Sequence, residues 1–233
     1  MSTTTSTTDT KTITTKIVVF KRFERLWHWS QMALIFTLLF SGSAVYGVHT
    51  IVCFADAVTL HTGAAIILMI LWLFATFWLF TTGQWKHYLP TTENFVQVAR
   101  FYAYGIFKGE HHPYRKTYRR KHNPLQAVTY LMVKVVIFPA IWISGIPYLL
   151  ISFGMGGFLN DLGLANIALV HTVAAIAITM FIIAHVYLLT TGHSFVEHVK
   201  PMVTGYDDVE LTEEELAFIK ADEPNLLKES KKL

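Results

Sequence analysis

The segment Leu164-Ala-Asn-Ile-Ala-Leu-Val-His171-Thr-Val-Ala-Ala-Ile-Ala-Ile-Thr-Met-Phe-Ile-Ile-Ala-His185-Val-Tyr-Leu-Leu-Thr-Thr191 decides the architecture of this chain. Its 28 residues contain no Asp, Glu, Lys or Arg. About 20 apolar residues cross a hydrocarbon core of ~30 Å. Lipid offers the backbone no hydrogen bonds, so the segment reads as a membrane helix. Two histidines interrupt it. His171 and His185 are 14 residues apart, close to four helical turns, so both point to nearly one face, roughly 21 Å apart along the axis. Histidine is costly inside a membrane helix and reads there as functional. Two at opposite depths imply two stacked cofactors, one toward each surface.

The rest of the chain fits a membrane setting. Of its 233 residues, 53% are hydrophobic and 15% charged, where a soluble domain carries nearer ~25% charge. Mean hydropathy is +0.42. Stretches of spanning length run near Leu26 to Val48, Ala57 to Thr82, Leu125 to Ile151 and Leu164 to Thr191. The expected fold is all-α, an integral membrane four-helix bundle forming one domain over residues 21–206. Residues 1–20 read as a disordered tail, since Ser2 to Thr15 is rich in Ser, Thr and Lys. Residues 207–233 read as an acidic cytoplasmic tail, in which Glu213-Glu-Glu215 resembles a solvated helix.

Charge gives the orientation. The net charge of +3 conceals basic residues crowded before the first span and into the connection from Gly83 to Pro124. The connections near 49–56 and 152–163 carry only Asp56 and Asp161 as charged residues. Lys and Arg accumulate on the cytoplasmic side, so both termini and the long loop are expected there, with the chain in a bacterial inner membrane. Within that loop Phe95, Val98, Tyr102 and Ile106 recur at helical spacing, predicting an interfacial helix over Glu93 to Phe107. The basic run from Tyr114 to His122 suits anionic lipid headgroups rather than nucleic acid. A single cysteine, Cys53, excludes intrachain disulfides and the CxxCH attachment of a c-type haem.

Topology sorts the eleven histidines. His28 opens the first span near the inner surface, and His61 opens the second near the outer one. The fourth span carries His171 in its outer part and His185 in its inner part. The depth-matched pairs are therefore His61 with His171 and His28 with His185. A six-coordinate haem iron takes two axial donors from facing helices, so the expected cofactors are two b-type haems, held without covalent attachment. Zinc needs its ligands together within ~2.1 Å of one ion, and the two histidines of the fourth span are too far apart for that. Met32 and Met180 read as packing residues. Gly42 and Ala75, each 14 residues after a histidine, are expected to leave room for a porphyrin edge.

These residues resemble a family. Phe23-Glu-Arg-Leu-Trp-His-Trp29, His61-Thr-Gly63 and the His171/His185 spacing are similar to the two-haem cytochrome b subunits of bacterial respiratory enzymes, including those of formate dehydrogenase and nickel-iron hydrogenase. The stretches Phe107 to Lys116, Arg120 to Gln126 and Thr190 to His193 look most like the thiosulfate-reductase-type branch. The resemblance covers about Val19 to Tyr206. It implies electron transfer across the membrane between quinone (menaquinone or ubiquinone) and a periplasmic redox subunit on the outer face. That partner would be an iron-sulfur protein, a molybdopterin oxidoreductase or a multihaem cytochrome. It further implies that Asn123, and with it Gln126, hydrogen-bonds a quinone oxygen near His185. A helix cap and an interfacial donor explain the same two residues equally well.

The leading reading is an electron-conducting subunit rather than a complete enzyme. A stand-alone quinone reductase driven by superoxide or another small outer donor is the alternative, and it wants a basic outer entrance that the outer loops lack. A channel or transporter without haem would want polar residues along the spans. Lys134, expected ~16 Å along the third span at ~1.5 Å per residue, is the one Lys, Arg, Asp or Glu deep in a span. It is read as a haem propionate partner or part of a proton path, the plain alternative being a lysine that reaches back to the inner headgroups.

Overall fold

The computed structural model describes residues 12–90, 94–110, 113, 122–190, 194–222 and 224–227. Its helices are α1 (Arg22–Val45), α2 (Phe54–Thr81), α3 (Phe95–Ala103), α4 (Pro124–Met132), α5 (Phe138–Ser152), α6 (Leu164–Thr190), α7 (Phe195–Thr204) and α8 (Glu213–Asp222). Two strands, β1 (Thr12–Val18) and β2 (Tyr206–Thr212), complete the described elements together with short 3-10 turns. The protein is mostly helical.

Helices α4 and α5 are continuous through a π-helical turn, Val133–Ile137, and form one helix of 29 residues, Pro124–Ser152. Its cause is in the sequence. Pro139 has no N–H to offer Val135 and its ring crowds that carbonyl. The widened turn absorbs the conflict, with the Phe138 N–H donating five residues back to Val133. A π-turn of this kind frequently marks a functional position, and Lys134 stands in it.

Helices α2, α4–α5 and α6 are each long and apolar enough to cross a membrane. Their outward faces expose Ile67, Phe74, Phe77, Val135, Ile143, Leu169, Val173 and Ile183, as a lipid-facing belt requires. Helix α1 matches them in length, but His28, Ser30, Gln31, Thr37, Ser41 and Ser43 lower its hydropathy. It packs along α2, and α5 along α6. Midway along the bundle Val133, Ile137, Phe138 and Ile178 are buried together under Ile35 and Trp72, so all four long helices meet there.

The termini depart from expectation. Residues 12–18 form β1, antiparallel to β2, with register from Thr12 opposite Thr212 to Val18 opposite Tyr206. Ile17, Val209, Leu211 and Ile219 are buried together, with Leu216, Leu226 and Leu227 packed over them. The disordered-tail reading therefore fails for residues 12–20, the helix expected at Glu213–Glu215 is present as α8 but with Ile219 turned into this core, and the fold is not purely α. A composition rich in Thr and Lys hides a strand whose alternating Ile13, Thr15 and Ile17 become meaningful only beside a partner nearly 200 residues later. Gly205, with φ +89 at the end of α7, lets its carbonyl accept the N–H groups of Val19 and Phe20. The Arg25 guanidinium donates to the Val203 carbonyl and the Trp29 indole to Met202 at 3.0 Å, so the unit is tied to α1 and α7.

A helix is present within the expected Glu93–Phe107 segment as α3, followed by a 3-10 turn at Gly105–Lys108. It turns Val98 and Phe101 inward and leaves Val96, Tyr104 and Phe107 exposed. The basic run from Tyr114 to Lys121 lies outside the described residues, as do His111, His112 and His193.

Candidate functional site: two histidine pairs

The four histidines come together in the pairs that depth dictates. The rings of His61 on α2 and His171 on α6 have centroids 6.1 Å apart at 71°. Those of His28 on α1 and His185 on α6 are 6.5 Å apart at 53°. A metal ion with one imidazole nitrogen at about 2.0–2.1 Å on each side sets the two centroids roughly 6 Å apart. Both pairs match that separation, and neither is close enough for a direct ring-to-ring hydrogen bond. Among the described residues no three His, Cys, Asp or Glu side chains converge on a point, so the geometry favours two-donor axial ligation over a zinc-type cage.

The His61/His171 pair, expected toward the outer face, is held by two matching devices. Ser41 on α1 lies 3.1 Å from His61 Nδ1, and Ser144 on α5 lies 3.1 Å from His171 Nδ1. Each serine hydroxyl also bonds back to its own helix, Ser41 to Thr37 and Ser144 to Ala140. His171 Nδ1 is in addition 3.2 Å from the Ile141 carbonyl, the arrangement in which Nδ1 carries the proton and Nε2 is left as the donor to a metal. Next to each serine stands a glycine against the same imidazole. A Cβ on Gly42 would lie 3.1 Å from His61 Cε1, and one on Gly145 would lie 3.1 Å from His171 Cε1. Gly42, expected to leave room for a porphyrin edge, stands against the His61 imidazole. The repeated Ser-Gly dipeptide was the missed signal, since nothing local says that it faces a histidine on another helix.

The His28/His185 pair, expected toward the inner face, borders a large open cavity of about 2020 Å³. His28, His185, Met32, Ile35, Phe138 and Phe181 line its bundle side, while Val19, Asp208 and Phe218 of the terminal unit reach its mouth. Its size and mixed lining suit a macrocycle next to a smaller ligand. His28 Nδ1 is shielded and has no hydrogen-bond partner among the described residues. His185 stacks on Phe181 at 5.8 Å. Ala75, expected to give room at this level, is 1% exposed and packs with Trp27 and Leu79. Trp27 lines the cavity and Ala75 does not.

Asn123 and Gln126 sit at the inner end of α4 and differ in what they have left to give. Asn123 caps the helix, accepting the Gln126 N–H at 2.8 Å, and donates to Tyr102 at 3.1 Å. It is 5% exposed and does not line the cavity. Gln126 returns the cap by accepting the Asn123 N–H at 3.1 Å, and it does line the cavity, as do His122 and Tyr130. The His122 ring lies 5.1 Å from Tyr88 and 5.0 Å from Tyr130. Burial, with Glu24 and Tyr130 adding to it, pushes the Tyr88 phenol well above the usual tyrosine range, so it stays neutral at physiological pH.

Residues 19–205 match the family described as prokaryotic cytochrome b561. The putative cytochrome YdhU of Escherichia coli (strain K12) is 30% identical over 197 residues, covering 82% of this chain and 74% of that protein. No solved structure matches.

Proposed function

The chain belongs to the prokaryotic cytochrome b561 family, and from that premise we propose that it is the di-haem membrane subunit of a respiratory complex, moving electrons across the membrane between quinone and an outer-face redox partner. Membership makes it a membrane cytochrome and implies haem b. The observation that carries the finer reading is the pair of histidine pairs, 6.1 and 6.5 Å between centroids, 14 residues apart on α6. His61 and His171 would hold one haem and His28 and His185 the other, each iron supplying reversible one-electron chemistry.

The protein's own residues do the rest. Ser41 and Ser144 orient the outer imidazoles. Trp72, Phe138, Trp142 and Ile178 pack the layer between the two levels and keep water from it. Gln126 offers an amide to a quinone oxygen at the inner cavity, and His122 stands beside it to take or give the quinone's proton. With α1 as a fourth crossing and both termini cytoplasmic, quinone would bind at the inner face of a bacterial inner membrane. The short, nearly uncharged outer loops would receive a periplasmic iron-sulfur protein, molybdopterin oxidoreductase or multihaem cytochrome. The resemblance to thiosulfate-reductase-type subunits favours an oxidoreductase of that kind.

Gln126→Glu is the test of the quinone site. It keeps the oxygen that accepts from Asn123 and removes the amide donor. Reduction of the haems by quinol is expected to slow about tenfold, the worth of one hydrogen bond near 1.4 kcal/mol, with haem content unchanged. An unaltered rate would move quinone away from this cavity. Ser41→Ala is expected to weaken retention of the outer haem by about 10–100-fold, the usual cost of losing such a support. Ser144→Ala should cost about as much, because each imidazole keeps one backbone carbonyl, Leu38 for His61 and Ile141 for His171. Haem dissociation unchanged in both variants would contradict the supporting role of the serines.

A further inference from the structure

Lys134 is the polar side chain that the reading above leaves without work. It projects from the π-turn of the third long helix into the inner cavity, whose lining it shares with His28 and His185. Its Nζ lies 3.6 Å from the centre of the Tyr88 ring and 5.0 Å from that of Trp27. The side chain therefore bends toward the inner end of the bundle, where Tyr88 closes the loop after α2. It still does not reach water. Nζ is shielded from solvent and has no hydrogen-bond partner among the described residues.

Two aromatic faces do not neutralise an ammonium. A cation–π contact contributes roughly 0.5–2 kcal/mol, while removing an ammonium from water costs several kcal/mol even after relaxation. Glu24 is the carboxylate near enough to act on Lys134 electrostatically. It is committed to the start of α1, where its Oε2 accepts the Lys21 N–H at 2.7 Å. Tyr88 is a neutral phenol and presents its ring, not an oxygen anion. Among the described residues the carboxylates that line the same cavity, Glu24, Glu197, Asp207, Asp208 and Glu210, make no hydrogen bond to Nζ, and the cation stands beside a histidine pair with the spacing of axial ligands.

We propose that Lys134 is the anchor for a porphyrin carboxylate: its ammonium pairs with a propionate of the haem held by His28 and His185. The inference rests on the two-haem reading and adds a specific anionic partner to it. Lys134 is a positioning residue that fixes the macrocycle's rotation and holds a positive charge beside it. A nearby cation favours the reduced, more negative state, so removing it lowers the potential of the inner haem and not of the outer one.

The experiment uses the purified holoprotein with its native haems. Lys134→Met retains the length of the side chain without the charge, and Lys134→Arg restores the charge. In Lys134→Met the inner haem's equilibrium constant for reduction is expected to fall about tenfold, which is a shift of about 59 mV for a one-electron couple. The outer haem stays unchanged, and Lys134→Arg recovers most of the loss. Redox-difference infrared spectra of protein carrying haem ¹³C-labelled at the propionates should show the carboxylate band move in Lys134→Met and return in Lys134→Arg. An unmoved band with an unmoved inner potential overturns the proposal. So does an unmoved band with weakened binding of a quinone analogue, which assigns the lysine to a quinone oxygen. Should Lys134→Met fail to fold, the Arg variant and Lys134→Gln carry the same comparison. Wild-type protein without bound haem would overturn the cytochrome reading beneath it, and a normal haem content with an unmoved band would overturn this inference alone.

Discussion

His61→Ala and His171→Ala are each expected to remove the outer haem and leave the inner one, and His28→Ala and His185→Ala to do the reverse. The pyridine haemochrome assay should fall from two haems per chain to one in every case, and the spectral component lost should be shared within a pair and differ between pairs. The reason is geometric. Each proposed iron has its two donors on different long helices, α2 with α6 or α1 with α6, at centroid separations of 6.1 and 6.5 Å. Among the described residues the other histidines have contacts of their own, His198 among them, with its Nδ1 3.0 Å from the Ser194 carbonyl. At the outer level His49 is turned to the Phe40 carbonyl, 3.0 Å from its Nε2. At the inner level His122 lies among the rings of Tyr88 and Tyr130. Loss of one donor leaves a b-type haem on a single bond, without covalent attachment to retain it. If His28→Ala and His61→Ala removed the same spectral component, the pairing would be wrong.

Ile219→Ala is expected to melt the terminal unit while sparing the bundle. Ile219 is 0% exposed and shares its small core with Ile17, Val209 and Leu211. Truncating a buried isoleucine costs about 2–5 kcal/mol, and a two-stranded sheet with one short helix is marginal by itself. The cost therefore falls on a unit that has little stability to lose. Amide hydrogens of residues 12–18 and 206–212 should exchange at least about 30-fold faster, the factor that corresponds to 2 kcal/mol, while α6 keeps its protection and the haems their spectra. Equal protection in both strands would mean that the unit draws its stability from elsewhere. Because Val19 and Phe218 border the inner cavity, the same variant should admit water-soluble reductants to the inner level faster.

How much of this was legible in the sequence depends on the range of each signal. Apolar runs of spanning length, free of charge, declare membrane helices by composition alone, and the helical period turns His171 and His185 into two levels on one face. Chain direction through alternating spans then matches His61 and His28 to them. What local reasoning missed lies between elements distant in the chain. The Ser41 and Ser144 hydroxyls read as ordinary membrane-helix serines until the facing histidine is placed beside them. Asn123 has the residue type of a ligand contact and also of a helix cap, and the cap with Gln126 and Tyr102 is what it makes. The strand at Thr12–Val18 resembled a linker because half of its meaning sits in Tyr206–Thr212. Lys134 stands ~16 Å along its helix at ~1.5 Å per residue, and it meets the loop after α2 because the Tyr88 ring comes to within 3.6 Å of its Nζ.

The antiparallel sheet also imposes a parity rule on the chain. Strands β1 and β2 exchange hydrogen bonds along seven residue pairs, so both lie on one side of any bilayer that the chain crosses. Between two points on the same side, a polypeptide crosses an even number of times. If helices α2, α4–α5 and α6 each cross, three crossings would leave the strands on opposite sides. The proposed fourth crossing by α1 restores an even number between Val18 and Tyr206, and among the described residues α1 is the remaining long helix. A pair of short strands outside the membrane thus acts as a counting device for what happens within it. Reversing the insertion of any one span would separate the strands and expose the edge of each.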